Sequence, residues 1–183
     1  MTTGSRRITR RGAASIAGAA ALVSLAACTP VVGSGSAQPS DVAAYQSTVA
    51  ASRAAAAASA KTSACSAWRA AYDKRNAVTD STIAATKGGN WTWDSIGPSI
   101  NAEVAAIATE SGTLPGVIAT PDLAATIRTL ITDYKTKLDA YGEALRADQA
   151  ARSQSTDSWS RSNPALDALQ TVADNVKGTC SIS

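Results

Sequence analysis

Beyond residue 40, apolar side chains recur at three- and four-residue steps over most of the chain, the spacing of one face of an α-helix. Between Asp41 and Lys87 there is no glycine or proline. Val42, Tyr45 and Val49 open an apolar stripe there, and Cys65, Trp68, Tyr72 and Ile83 resume it. This span predicts one long helix, capped by Ser40 or Asp41, stopped by Gly88-Gly89 and free to bend near Thr62-Ser63. Gly97-Pro98 opens a shorter helix with Ile100, Val104 and Ile107 inward, ending at Gly112. Thr120-Pro121-Asp122 is a start signal: a cap, a proline in the first turn and an acid near the positive end. The helix it opens has the best pattern of the chain: Leu123, Ile127, Leu130, Ile131, Tyr134, Leu138, Tyr141 and Leu145. A polar stretch from Ser153 to Ser158 follows. Asn163-Pro164 then starts a fourth helix with Leu166, Leu169, Val172 and Val176 inward, closed by Gly178.

The lengths predict a layout. The first and third helices lie antiparallel, the second covers the far half of that hairpin, and the fourth covers the near half. Residues 87–97 and 112–120 then share the far tip, with Trp159 at the opposite end. The expected fold class is all-α, an elongated, disulfide-stapled bundle of about four helices behind a flexible tether.

Composition narrows this further. Alanine supplies 41 of 183 residues, phenylalanine is absent, and only 24 of the 156 residues from Cys28 onward are Leu, Ile or Val. That is too little for a β-sandwich or an α/β enzyme core. The 13 basic and 14 acidic side chains of the same stretch nearly cancel, so strong self-repulsion does not keep the chain unfolded. With no histidine, a His-dependent triad or a His metal site is excluded.

Residues 1–27 have the order of an export signal. Arg6, Arg7, Arg10 and Arg11 precede an apolar run from Ala13 to Ala27 that is too short for a stable bilayer span. The run ends in Leu25-Ala26-Ala27-Cys28, which resembles the lipobox of bacterial lipoproteins. The alanine- and threonine-rich, lysine-poor composition resembles lipoproteins of high-GC actinobacteria. The lipobox resemblance implies a diacylglyceryl group on the Cys28 thiol and cleavage before it. Two acyl chains, at about 0.8 kcal/mol per buried methylene, give stable anchoring. The membrane is then a partner through Cys28, and the location is the extracytoplasmic face of the cell membrane. Residues 28–40 read as the lipidated cysteine and a Gly-, Ser- and Pro-containing tether, and 41–183 as the helical domain. The basic excess leaves with the signal, so the pI of 8.9 is no argument for nucleic acid.

Removing Cys28 from the count leaves Cys65 and Cys180, a disulfide pair in an oxidising compartment. In the layout above both fall at one level. Neither C-x-x-C spacing nor a glycine-rich phosphate loop, a G-x-S-x-G turn or a dense acidic loop occurs, so no catalytic residue, metal ligand or cofactor is expected. The conspicuous loop is Asn90-Trp91-Thr92-Trp93-Asp94. Trp91, Trp93 and Asp94 are candidates for contact with a protein or glycan, since tryptophan is enriched where interface energy concentrates. The competing role for the two rings is to fold down and close the bundle's end in place of the missing phenylalanines. Trp68 and Trp159 are expected to be structural. The function expected is non-catalytic binding or scaffolding of an envelope partner, the alternative being a carrier or sensor of a small apolar or glycan ligand. Replacing Cys28→Ala should move the protein from the membrane pellet to the soluble fraction; unchanged sedimentation with membranes would remove the lipid anchor from this reading.

Overall fold

A computed structural model of the chain describes residues 38–152 and 158–181. The export signal, Cys28, nearly all of the tether and residues 153–157 lie outside the described residues. Four helices make up the rest: α1 (Pro39–Thr86), α2 (Trp93–Ile118), α3 (Ala125–Ala151) and α4 (Ser162–Cys180). Side-chain bonds fix their directions. Thr82 reaches Ser99 and Arg75 reaches Glu110, so α1 and α2 are antiparallel. Tyr141 reaches Glu103 and Tyr134 reaches Glu110, so α2 and α3 are antiparallel as well. Asp148 near the end of α3 meets Ser162 at the start of α4. The bundle is up-down-up-down, and α1 runs parallel to α3.

This corrects the expected layout, and the cause is the length of α2. Thr92 and Ser95 form a capping box, each side chain accepting the other's backbone N–H at 3.2 and 2.8 Å, so α2 starts at Trp93, ahead of Gly97-Pro98. It continues through Gly112 and Pro115 to Ile118. Pro115 lacks an N–H and leaves the Ser111 carbonyl without its helical donor, but Pro115 is exposed while Leu114 and Val117 beside it are buried. Packing on the inner face thus outweighs the missing bond. The Thr120 hydroxyl donates back to Val117 and closes α2 instead of capping α3. Asp122 takes a left-handed φ of 58°, and α3 begins only at Ala125. A full-length α2 carries the chain away from the far tip to the near end, so α3 runs alongside α1 in the same sense. Residues 119–124 and 87–92 therefore lie at opposite ends, and Trp159 joins Trp91 and Trp93.

The core is a seam of heptad-spaced positions. On α2 it comprises Trp93, Ile96, Ile100, Glu103, Ile107, Glu110, Leu114 and Val117; on α3, Ile127, Ile131, Tyr134, Leu138, Tyr141, Leu145 and Asp148. A Cβ on Gly142 would stand 3.0 Å from Ile107 Cγ2, so a glycine there permits the close approach of α2 to α3. Trp68 is fully buried, stacked on Tyr72 at 5.2 Å and edge-on to Tyr134 at 5.5 Å between ring centroids.

α1 departs from its predicted stripe at both ends. The first buried residue is Ala60; Val42 and Tyr45 are 41% and 71% exposed, and Val49 is half-buried. α2 and α4 reach no farther than this level, so residues 39–59 form an uncovered arm of about 30 Å at 1.5 Å per residue. Alanine's helix propensity sustains it. Further along, Ile83 is exposed and the seam is completed by Arg75, Thr79 and Thr82. α1 is unbroken at Thr62-Ser63, and α4 passes through Gly178 to Cys180.

Cys65 and Cys180 form the expected disulfide, with Cα atoms 5.6 Å apart and a sequence separation of 115. Closing so long a loop contributes roughly 4–5 kcal/mol in the chain-entropy description. Cys65→Ser and the double Cys65→Ser/Cys180→Ser variant should both melt roughly 10 °C below the wild type. A thermal scan in which the single variant melts like the wild type would contradict a stabilising bridge.

Candidate functional site

Two polar layers cross the bundle between its middle and its tryptophan end. In the first, Arg75 Nε donates to Glu110 Oε2 at 2.9 Å and Arg75 Nη2 to Tyr134 Oη at 3.0 Å; Tyr134 Oη in turn donates to Glu110 Oε1 at 2.6 Å. The Arg75 and Glu110 side chains are 2% and 1% exposed, so the pair is fully withdrawn from water. Burial works against the guanidinium's charge, but Tyr134 and Glu110 outweigh it and its pKa rises. Burial and then the nearby Glu110 carboxylate push the Tyr134 hydroxyl up, although Arg75 pulls the other way. In the second layer, Tyr141 Oη donates to Glu103 Oε1 at 2.6 Å, and Glu103 is 1% exposed. Burial, followed by the adjacent Glu103, raises the Tyr141 pKa. Both tyrosines are therefore proton donors over the whole physiological range.

A third buried carboxylate belongs to Asp148. It accepts the backbone N–H groups of Arg161 and Ser162 at 3.2 and 2.8 Å and the Ser162 hydroxyl at 2.8 Å. An acid of α3 thereby caps α4, whose N-terminal N–H groups carry partial positive charge.

The tryptophan end is built from two connections. Trp91 precedes α2, Trp93 opens it, and Trp159 precedes α4. Their ring centroids lie 5.4, 5.5 and 5.0 Å apart in the pairs 91–93, 91–159 and 93–159. Trp93 is 3% exposed, so its ring closes the bundle and is withheld from direct contact with a partner. Trp91 and Trp159 are half-buried and keep part of their surface outside. Asp94 is exposed and bonds Arg152 at 2.9 Å, linking the start of α2 to the end of α3. Of the three residues expected to form a contact patch, Trp91 and Asp94 remain at the surface. Trp68, expected to be structural, is wholly buried.

Beside this end, α1 and α4 leave a cleft of about 320 Å³. Ile83, Leu145, Trp159 and Leu166 form its apolar walls, and Glu103 and Tyr141 contribute its buried polar group. Sequence patterning passed over Arg75, Glu103, Glu110 and Asp148, because charged residues read as surface. The available signal was spacing. Glu103 and Glu110 are seven apart in phase with Ile100, Ile107 and Leu114, and Tyr134 and Tyr141 are seven apart on the stripe they face. Among the described residues, no group of three or more acidic or cysteine side chains could hold a metal ion.

No family profile matches the chain, and neither a curated protein nor a solved structure is significantly similar to it.

Removing one member of a buried ion pair strands the other charge at a cost of about 3–5 kcal/mol. Arg75→Met should lower the unfolding free energy by about that amount in urea titrations. The triple variant Arg75→Met/Glu110→Leu/Tyr134→Phe, which leaves no stranded polar group, should lose less than the single one. The reverse order would mean that the layer's charges are solvated.

Proposed function

We propose that the protein is a membrane-anchored extracytoplasmic lipoprotein and serves as a non-catalytic binding or scaffolding module of the bacterial cell envelope. The observation that carries this reading is the length of α1. The chain enters it at Pro39, eleven residues after Cys28, and leaves it at Thr86, about 70 Å away along the helix axis. None of the first 21 residues of α1 is fully buried, so they contribute reach and little core. Among the described residues no helix is long and apolar enough to cross a membrane; the lipobox-like Leu25-Ala26-Ala27-Cys28 supports attachment through a lipid on Cys28.

The tryptophan end is then the presenting end. Trp91, Trp159 and Asp94 supply aromatic surface and an exposed acid on a rigid cluster, suited to a protein surface or to the faces of sugar rings. Trp93 holds that cluster from beneath. Polar pairs on the helix faces, such as Arg69 with Asp73 and Lys135 with Asp139, are ordinary surface ion pairs and are assigned no chemistry.

Crosslinking in cells followed by affinity capture of the full lipoprotein should recover a partner from the wild type. The Trp91→Ala/Asp94→Ala variant, which keeps Trp93, should recover at least about tenfold less while still folded, as judged by a cooperative thermal transition. Equal recovery would remove the tryptophan end from the contact.

A further inference from the structure

The two polar layers are one heptad apart in every helix that forms them. Moving seven residues along α1, α2 and α3 from Arg75, Glu110 and Tyr134 leads to Thr82, Glu103 and Tyr141. The antiparallel directions require steps of opposite sign on α2, and the three residues again meet at one level: Tyr141 bonds Glu103, while Thr82 bonds Ser99 on α2. The carboxyl group and the phenol are repeated, but the guanidinium is not. Where the first layer has a guanidinium, the second has a threonine, and beside it lies the 320 Å³ cleft between α1 and α4.

Glu103 is as deeply buried as Glu110, yet among the described residues no lysine or arginine pairs with it. Its carboxyl group has acceptor positions beyond the one that Tyr141 uses. Arg75 reaches Tyr141 only as a through-space attraction and is already committed to Glu110. The unmet demand at this level is for a donor with positive charge. The cleft's volume is at the lower end of small-ligand sites, and its lining joins the apolar side chains of Ile83, Leu145 and Leu166 to polar ones, of which Glu103 is the one acid. Trp159 at its edge adds a ring face that attracts cations.

We propose that this cleft binds a small organic cation, an ammonium or guanidinium on a short apolar body, whose charged head pairs with Glu103 where Arg75 pairs with Glu110 one layer away. The body lies along Leu145 and Leu166 toward Trp159. The site shares Trp159 with the tryptophan end but contains neither Trp91 nor Asp94, so the Trp91→Ala/Asp94→Ala variant and the cleft variants below test the two readings separately.

The test is titration of the full-length lipoprotein in detergent micelles with phenethylammonium and phenylguanidinium, followed by calorimetry and by tryptophan emission. 2-Phenylethanol serves as the neutral body of the same shape. Saturable binding of at least one cation, with the alcohol at least about tenfold weaker, is expected of the wild type. Thr82→Arg, which supplies the missing cation from the chain, should abolish cation binding and raise the melting temperature. Leu166→Trp should block the cleft without touching Glu103. Equal binding of cation and alcohol, no saturable binding of either cation at millimolar concentration, or wild-type affinity in folded Thr82→Arg would each overturn the proposal.

Discussion

A guanidinium buried at 2% exposure has to be neutralised where it lies, and the relative positions of three helices follow from that requirement. Arg75 comes from α1, its anion from α2 and its hydroxyl partner from α3. Sliding any of these helices by one turn, about 5.4 Å, would leave a charge in the core without a partner. The surrounding seam could not impose the register by shape alone. Alanine steps on α1 are nearly interchangeable, and no phenylalanine is present to fill a unique hole. Burying an ion pair adds little net stability over apolar packing. What it adds here is a penalty on every other register, the role best attested for buried polar groups in helical assemblies. The stabilising contribution comes from elsewhere: the aromatic contacts of Trp68 with Tyr72 and Tyr134, the tryptophans that close the end, and the disulfide.

Much of this was readable from the residues. The stripe of α3, the burial of Trp68 and the Cys65–Cys180 bridge all follow from periodicity and cysteine count. The bridge was expected even though the topology around it was inverted. In the observed arrangement the end of α1 and the start of α4 meet, with Cys65 and Cys180 about twenty and eighteen residues from them; in the expected one those ends lie at opposite ends of the third helix, and the two cysteines share a level only because the distances together equal that helix's length. The errors have two physical sources. Proline and glycine in α2 were read as boundaries, but Gly112 and Pro115 face solvent, where a lost hydrogen bond is replaced by water, while Leu114 and Val117 anchor the same turn. The arm of α1 was read as part of the core because Val42, Tyr45 and Val49 have helical spacing. Periodicity reports a face, and it does not report whether another helix is long enough to cover it.

The candidate site was the least readable part. Its central residues, Glu103 and Tyr141, acquire meaning only when α2 and α3 are brought together, since an isolated glutamate in an alanine-rich helix has the composition of a surface position. The layered arrangement also ties the site to the fold. Tyr141 and Leu145 lie on the α3 seam, and Asp148, one turn beyond Leu145, caps the helix that forms the opposite wall of the cleft. A change at Asp148 therefore alters the cleft through the position of α4, without contact to anything bound there.

The continuity of α1 has a mechanical meaning. The same helix forms the uncovered arm and one quarter of the bundle, so tension applied at its N-terminal end is delivered along an unbroken hydrogen-bonded rod. The first strong lateral attachment it meets is Cys65, five residues past the first buried position at Ala60. A load that would otherwise peel α1 away from its neighbours one turn at a time is caught by a covalent bond to α4 at the point of entry. Beyond it, α1 is loaded in shear along its whole seam, with Arg75 and Thr82 resisting together instead of in succession.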